Sequence, residues 1–290
     1  METVLFRRVG IVAKPHQPEA QEVVRGLITW LRAKDRQVVL DLETAALTGT
    51  EETGVAKADV PRMTDLVVVL GGDGTLLSVA RLVESGEVPI LGVNIGRLGF
   101  LTEITLDELY PVLGTVLTGK YRTSRRMLLH VTVQRQGEQI AEDFVLNDAV
   151  MTKSALARIV NMEVFVEQEF VTAYRADGMI VCTPTGSTAY GLSAGGPIVF
   201  PEMGALILVP ICPHTLTNRP LVLPGDVSVQ VILDSKDEDV YLTLDGQVGF
   251  PLQYRDLVEV RRADRDITLI GSPKKGFYEI LRSKLKWGER

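Results

Sequence analysis

Leu66-Val67-Val68-Val69-Leu70-Gly71-Gly72-Asp73-Gly74-Thr75-Leu76-Leu77 joins an apolar run, a glycine turn holding one acid, and an apolar helical pattern that reaches Leu82. The order reads as strand, tight turn, helix. Such a turn aims backbone N–H groups and the positive end of a helix at one point. Glycines there let a phosphate approach the main chain. A carboxylate is unwanted for simple anion binding, so Asp73 points to chemistry. The plain alternative is a connection whose glycines take positive φ. The pattern is neither G-x-G-x-x-G nor the P-loop, so neither a Rossmann dinucleotide turn nor a Walker-type ATPase is supported.

Working outward, residues 9–13 and 38–40 read as short strands. Pro18 opens a helical stretch in which Val23, Val24, Leu27, Ile28 and Leu31 recur at helical spacing. Residues 66–70 are apolar on both faces, as a covered parallel strand should be. A helix over 75–84, a strand over 89–93 and a helix over 106–117 follow. This is the alternation of an open α/β domain, placed at 1–122. Ligands in such sheets sit beyond the carboxyl ends of the strands, where the glycine turn and Asn94-Ile95-Gly96 lie.

The pattern changes near Tyr121. Residues 128–133, 159–166, 227–233, 240–244 and 257–260 read as strands, punctuated by Gly, Pro, Asn and Asp. We expect a β-sandwich-like domain over 123–270. A tail over 271–290 carries a short basic helix from Tyr278 to Trp287 that can return to the first domain. The expected fold class is therefore α/β followed by all-β.

The formal charge of −6 argues against general nucleic-acid or membrane-surface binding. Two cysteines, Cys182 and Cys212, are too few for a disulfide framework or a zinc site of about four ligands. They fit a reducing cytoplasm. The apolar run after Arg7 and Arg8 is too short for a signal-peptide core. No run approaches the roughly 20 apolar residues of a membrane span. A cytoplasmic location without a membrane partner is expected.

Two further constellations carry chemistry. Asn147-Asp148 follows the apolar Phe144-Val145-Leu146. Read structurally it is a turn pair. Read functionally, an acceptor-only carboxylate beside a donor–acceptor amide suits the hydroxyls of a ribose. Tyr174-Arg175-Ala176-Asp177-Gly178 precedes a stretch, 183–197, of glycines and small hydroxyl residues interrupted by Tyr190. A flexible linker has similar composition. The flanking aliphatic segments 179–181 and 198–200 favour a loop lining a polar ligand, with main-chain groups and hydroxyls supplying hydrogen bonds. His214 reads as a satisfied loop histidine, Arg219 as extended surface charge before Pro220, and Lys274-Lys275 as a solvated pair. Asp245-Gly246 reads as a hairpin turn, with Gln247 within reach of a ligand.

These blocks, in this order and with this layout, resemble the NAD kinase family. The matching residues are 71–75, 94–101, Asn147-Asp148, Asp177-Gly178, 183–197, Pro213-His214-Thr215-Leu216 and Asp245-Gly246, so the resemblance covers nearly the whole chain. The glycine turn alone is shared with 6-phosphofructokinases and diacylglycerol-type lipid kinases; the other blocks set this chain apart. The resemblance implies transfer of the γ-phosphoryl group of ATP to the 2′-hydroxyl of the adenosine ribose of NAD. It implies Asp73 as the catalytic acid–base residue. Gly71, Gly72, Gly74 and Thr75 would hold the phosphates, with Mg²⁺ offsetting nucleotide charge. NAD would be held by Asp73, Gly74, Asn147, Asp148, Arg158, Arg175, Asp177, Thr188, Ala189, Tyr190, Gly191, Leu192, Ser193 and Gln247. It also implies a homodimer or homotetramer. A lipid or sugar kinase using the same turn, and a dinucleotide sensor without catalysis, are the competing readings.

Overall fold

The computed structural model describes residues 5–15, 18–49, 52–84, 86–96, 98–154, 158–236 and 239–287; Arg97, inside the 94–101 block, lies outside them. The chain forms two compact units. One comprises Met1–Arg125 and Ile267–Arg290, the other Arg126–Asp266. The divisions fall at 125/126 and 266/267, where the sequence suggested 122/123 and 270/271.

The first unit runs β1 (Arg8–Ala13), α1 (Pro18–Arg32), β2 (Gln37–Asp41), α2 (Leu42–Thr48), β3 (Gly54–Val55), α3 (Asp59–Met63), β4 (Leu66–Gly71), α4 (Asp73–Ala80), β5 (Ile90–Asn94), β6 (Ile104–Thr105) and α5 (Leu109–Leu117). Its sheet is parallel in the order β3-β2-β1-β4-β5. Successive strands step away from β1 on one side, and β4 then adds on the other. The carboxyl ends of β1 and β4 are thus the switch point where such sheets leave a crevice. Leu66, Val67, Val68, Val69 and Leu70 are all fully buried, which accounts for their unbroken apolar character. Val24, Leu27 and Leu31 of α1 and Leu113 of α5 pack on one face of the sheet, against Ile11, Val68 and Leu91.

The second unit runs β7 (Thr123–Arg135), β8 (Glu138–Val145), β9 (Asp148–Lys153), β10 (Val160–Val166), β11 (Glu169–Ala176), β12 (Gly178–Cys182), a short helix α6 (Tyr190–Ser193), β13 (Ala205–Ile211), β14 (Leu221–Pro224), β15 (Val229–Leu233), β16 (Val240–Leu244), β17 (Val248–Leu252) and β18 (Leu257–Ile270). β14-β13-β12-β9-β16-β17 is one antiparallel sheet. β11-β10-β15-β18 is the facing antiparallel layer. Alternate residues such as Met151 and Met179 from one layer and Met162 and Val231 from the other share a single core, as in a sandwich.

The strand read over 257–260 continues to Ile270. Its first residues pair with β15, whereas Leu269 and Ile270, beyond Asp266 and so part of the first unit, pair there with β5. The tail closes with α7 (Phe277–Leu285). Of Lys274-Lys275, read as a solvated pair, Lys274 is 71% exposed and only Lys275 is drawn in. Lys275 Nζ donates to Glu108 Oε2 at 3.0 Å and Lys274 lies 3.6 Å from the same carboxylate. The Thr105 N–H and hydroxyl also donate to Glu108, and these bonds hold its carboxyl down to about 2 against burial. No helix among the described residues is long and apolar enough to cross a membrane.

Candidate functional site

The glycine turn ends β4 and starts α4. The helix begins at Asp73, two residues before the sequence reading placed it, because the Thr75 and Leu76 N–H groups already donate to Gly72 O at 3.0 and 3.2 Å. It ends at Ala80, short of Glu84, where the Leu82 and Val83 N–H groups reach back only three residues, to Val79 O and Ala80 O. Gly72 is extended, with φ −112° and ψ −172°, and none of the three glycines lies among the positive-φ residues. Backbone conformation therefore does not require them, which removes the plain alternative. Gly71 is needed for packing, since a Cβ there would collide with Thr75. A Cβ at Gly72 or Gly74 would meet nothing within 4 Å. Their bareness serves neither the fold nor the core; it leaves the main chain open to something outside. Lys14, exposed at the carboxyl end of β1, lies against Gly71, and its N–H donates to Leu70 O at 2.8 Å. This cation beside the turn was missed because the motif was read along the chain and not across the sheet.

Asp73 is held on one side by the segment after Asn94. Oδ2 accepts the Phe100 N–H at 2.8 Å. Oδ1 accepts the Leu101 and Thr102 N–H groups, both at 3.0 Å, and the Thr102 hydroxyl at 2.9 Å. Asn94 Nδ2 in turn donates to Thr102 Oγ1 at 2.9 Å, while Asn94 Oδ1 accepts the Gly96 N–H at 2.7 Å. Gly99 must be glycine, because a Cβ there would collide with Asp73 Oδ1 and Thr102 Oγ1. From α7, Lys284 Nζ donates to Leu98 O at 2.7 Å and stands 5.4 Å from the Phe100 ring centre.

In the second unit, Asn147-Asp148 is not a free turn pair. Asp148 is the first residue of β9 and lies opposite Cys182 on β12. A second carboxylate, missed as anything but a hairpin residue, seats the pair. Asp245, at φ 49° between β16 and β17, accepts the N–H groups of Leu146, Asn147 and Asp148 at 2.9, 2.7 and 3.1 Å. The stretch after Cys182 folds over the same place. A Cβ on Gly186 would strike the backbone of Asn147. Thr183 Oγ1 donates to Leu146 O at 2.6 Å and accepts the Gly186 N–H at 3.0 Å. Ser187 Oγ donates to Pro184 O at 2.6 Å and accepts the Val199 N–H at 3.0 Å. The hydroxyls expected to face a ligand at 183 and 187 are thus spent inside, holding the loop. Thr188 is half-buried, its hydroxyl donating to Thr185 O at 3.2 Å; exposed surface begins at Tyr190 and includes Ser193, while Gly191 is buried against Cys182.

The structure therefore brings Asn147, Asp148, the 183–193 segment and the 245–247 turn to one end of the second sheet. Arg158 and Arg175 line a different feature, a groove of about 550 Å³ shared with Asn161, Asp234 and Lys236. Asp177 lies 3.6 Å from Lys153. His214 donates its N–H to Arg175 O at 2.9 Å, and Arg219 caps carbonyls of its own loop.

Asp148 is 5% exposed, and burial first, then the charge of Asp245, raises its carboxyl to about 7, opposed by the Tyr190 N–H. Cys182, also buried, is pushed up by the same burial and by Asp148. The folded chain thus keeps a proton that an unfolded aspartate gives up above about pH 4. The stability this contributes is full below that pH and is lost as the pH rises towards about 7. The unfolding free energy of the parent, from denaturant titration, is expected to fall relative to Asp148→Asn across that window by on the order of 4 kcal/mol. A constant difference between the two proteins over the window would remove Asp148 as the source.

Two family models match. The ATP-NAD kinase N-terminal domain matches residues 9–121 and the ATP-NAD kinase C-terminal domain matches residues 146–272. An NAD kinase of Geobacter sulfurreducens is 53% identical, covering 98% of this chain and 100% of that one. An NAD kinase of Solibacter usitatus is 48% identical, covering 99% of each. Among solved structures, a yeast NADH kinase complexed with NADH superposes with a TM-score of 0.88 at 27% identity, covering 100% of this chain and 90% of that one. An Archaeoglobus fulgidus NAD kinase in complex with ATP shares the fold, with a TM-score of 0.75 at 23% identity, covering 96% of this chain and 98% of that one.

Proposed function

The chain belongs to the NAD kinase family and is a phosphotransferase making NADP from NAD and ATP; from that premise we propose that Asp73 accepts the proton of the ribose 2′-hydroxyl. Phosphoryl transfer depends mostly on positioning and charge stabilisation, with proton removal late, so a carboxylate placed at the hydroxyl can serve. The O–H bond of the 2′-hydroxyl breaks, its oxygen bonds the γ-phosphorus, and the bridging P–O pair leaves with ADP. The proton ends on Asp73.

The observation that carries this reading is the bare main chain on both sides of Asp73. Gly72 and Gly74 have open space where side chains would be. A phosphate can approach Gly71, Gly72, Gly74 and Thr75, aided by the α4 dipole and by Lys14. Asn147 and Asp148 take the ribose hydroxyls, and Thr188 to Ser193, with Ala189, Gly191 and Leu192, wrap the dinucleotide, assisted by Asp177 and Gln247. Arg158 and Arg175 meet phosphate as bidentate donors. Mg²⁺ in this reading would arrive with the nucleotide and offset its phosphate charge. The same reading expects a cytoplasmic homodimer or homotetramer.

The direct test is the purified protein with ATP, Mg²⁺ and NAD, NADP being read by an NADP-specific dehydrogenase. NAD binding without NADP formation would favour a sensor. The turn has its own test. Gly72→Ala meets no neighbour, so its stability should stay within about 0.5 kcal/mol of the parent. Its kcat/KM for ATP should fall by about 10²-fold, as misplaced phosphates typically cost. Parent-like ATP kinetics in that variant would remove the turn from phosphate binding.

A further inference from the structure

The two oxygens of Asp73 are not equivalent. Oδ1 takes three donors, the N–H groups of Leu101 and Thr102 and the Thr102 hydroxyl, at 2.9–3.0 Å. A carboxylate oxygen offers two lone pairs, so Oδ1 has no capacity left. Oδ2 takes one donor, Phe100 N–H, at 2.8 Å. One acceptor direction remains on the carboxylate, and it belongs to Oδ2. We propose that Oδ2 is the oxygen that receives the substrate proton, and that Thr102, oriented by Asn94, is the positioning residue that fixes where the free lone pair of Oδ2 points. This rests on Asp73 being the proton acceptor and adds the atom and the device that aims it.

The device is built for a single orientation. Thr102 is fully buried and Asn94 is 5% exposed, so water cannot replace either. Asn94 is itself tied at both ends of its amide, to Thr102 Oγ1 and to the Gly96 N–H. With Nδ2 donating to Thr102 Oγ1, the hydroxyl proton has one good acceptor, Asp73 Oδ1. The backbone of 99–102 cannot be re-spaced by a side chain at Gly99. A partial rotation of the Asp73 carboxylate about its Cβ–Cγ bond would stretch these bonds and turn the free lone pair away, and the Thr102 pair of donors opposes it. Without the hydroxyl, Oδ1 is still filled by its two N–H donors, but the carboxylate loses the one side-chain donor that holds its tilt, so it samples orientations in which the free Oδ2 lone pair is misdirected.

The test uses the full chain, with ATP, Mg²⁺ and NAD as substrates. Thr102→Val keeps shape and removes the hydroxyl; Thr102→Ser keeps the hydroxyl and removes the methyl. Thr102→Val should lower kcat at least tenfold with KM for NAD within about twofold, since lost orientation acts on the chemical step. Thr102→Ser should recover most of that loss, a rescue that a merely structural role of the methyl would not give. If Thr102→Val is too unstable to assay, Asn94→Asp serves instead: its new carboxylate competes for the Thr102 hydroxyl proton and should lower kcat in the same selective way. Parent-like kcat in Thr102→Val, or equal losses in the Val and Ser variants, overturns the positioning role. The underlying reading has a separate failure, an Asp73→Asn protein that still turns over. A dead Asp73→Asn beside a parent-like Thr102→Val would sink only the inference.

Discussion

Asp73→Asn is expected to bind NAD like the parent and to lose about 10²–10⁴-fold in turnover, the usual cost of removing a general base. The amide is isosteric, so the question is what it does to the four donors around it. With its carbonyl oxygen at the Oδ1 position, the substituted amide keeps the Leu101 and Thr102 bonds and turns its NH₂ towards the Phe100 N–H. One donor is orphaned, at about 1–3 kcal/mol. That is a tolerable loss for a chain of this size, and the residues assigned to ribose binding lie in the other unit. Stability by denaturant, NAD affinity by titration and NADP formation separate the effects. A variant with near-normal turnover would take Asp73 out of the chemistry, whatever its stability.

Asp245→Ala should have the largest effect on stability. It strands three N–H groups, of Leu146, Asn147 and Asp148, in a place where Asp148 is 5% exposed. Each orphaned buried donor costs about 1–3 kcal/mol. Alanine is also poorly suited to φ 49°, a left-handed conformation that costs a side chain roughly 1–2 kcal/mol. One effect opposes these: loss of the Asp245 charge relieves Asp148. We expect a net destabilisation on the order of 5 kcal/mol and a fall in NAD affinity, because the Asn147-Asp148 pair loses its seat. Asp245→Asn, which tolerates left-handed backbone and keeps one acceptor, should lie between. Alanine protein of parent stability and parent NAD affinity would show that the pair is held by something else.

How far the sequence carried the structure differs from element to element. β4 and β5 were legible because a parallel strand covered on both faces must be apolar at every position. α2 was not, although its signals were present: Asp41 accepts the Thr44 N–H as N-cap, and Gly49 closes the helix at φ 61°. Seven residues with little apolar periodicity gave the pattern nothing to stand out against. β8 carries so many charged and polar residues, with a half-exposed Ile140, that alternation was blurred. Within the candidate site, residue identities were legible and their partners were not. Asp73 announced itself, but the register that delivers Thr102 to it depends on how the chain returns beside β5. Asp245 was read as a turn because locally it is one; its second use lies almost a hundred residues upstream, and no local rule reaches that far. The hydroxyls at 183 and 187 show the converse: the composition said polar contact, and only packing says whether the contact is with a ligand or with the loop itself.

The path of β18 bears on how the protein is born. The β-rich unit is one uninterrupted stretch, finished at Asp266, whereas the α/β unit is split around it. A ribosome therefore delivers everything the inner unit needs before it delivers the last pieces of the outer one. Until Leu269 and Ile270 emerge, Ile90 and Leu91 lack a strand neighbour on one side, and an unpaired apolar edge is a site for wrong pairing. The part made first must wait for the part made last, and the nascent chain carries an unpaired apolar strand edge through most of its own synthesis.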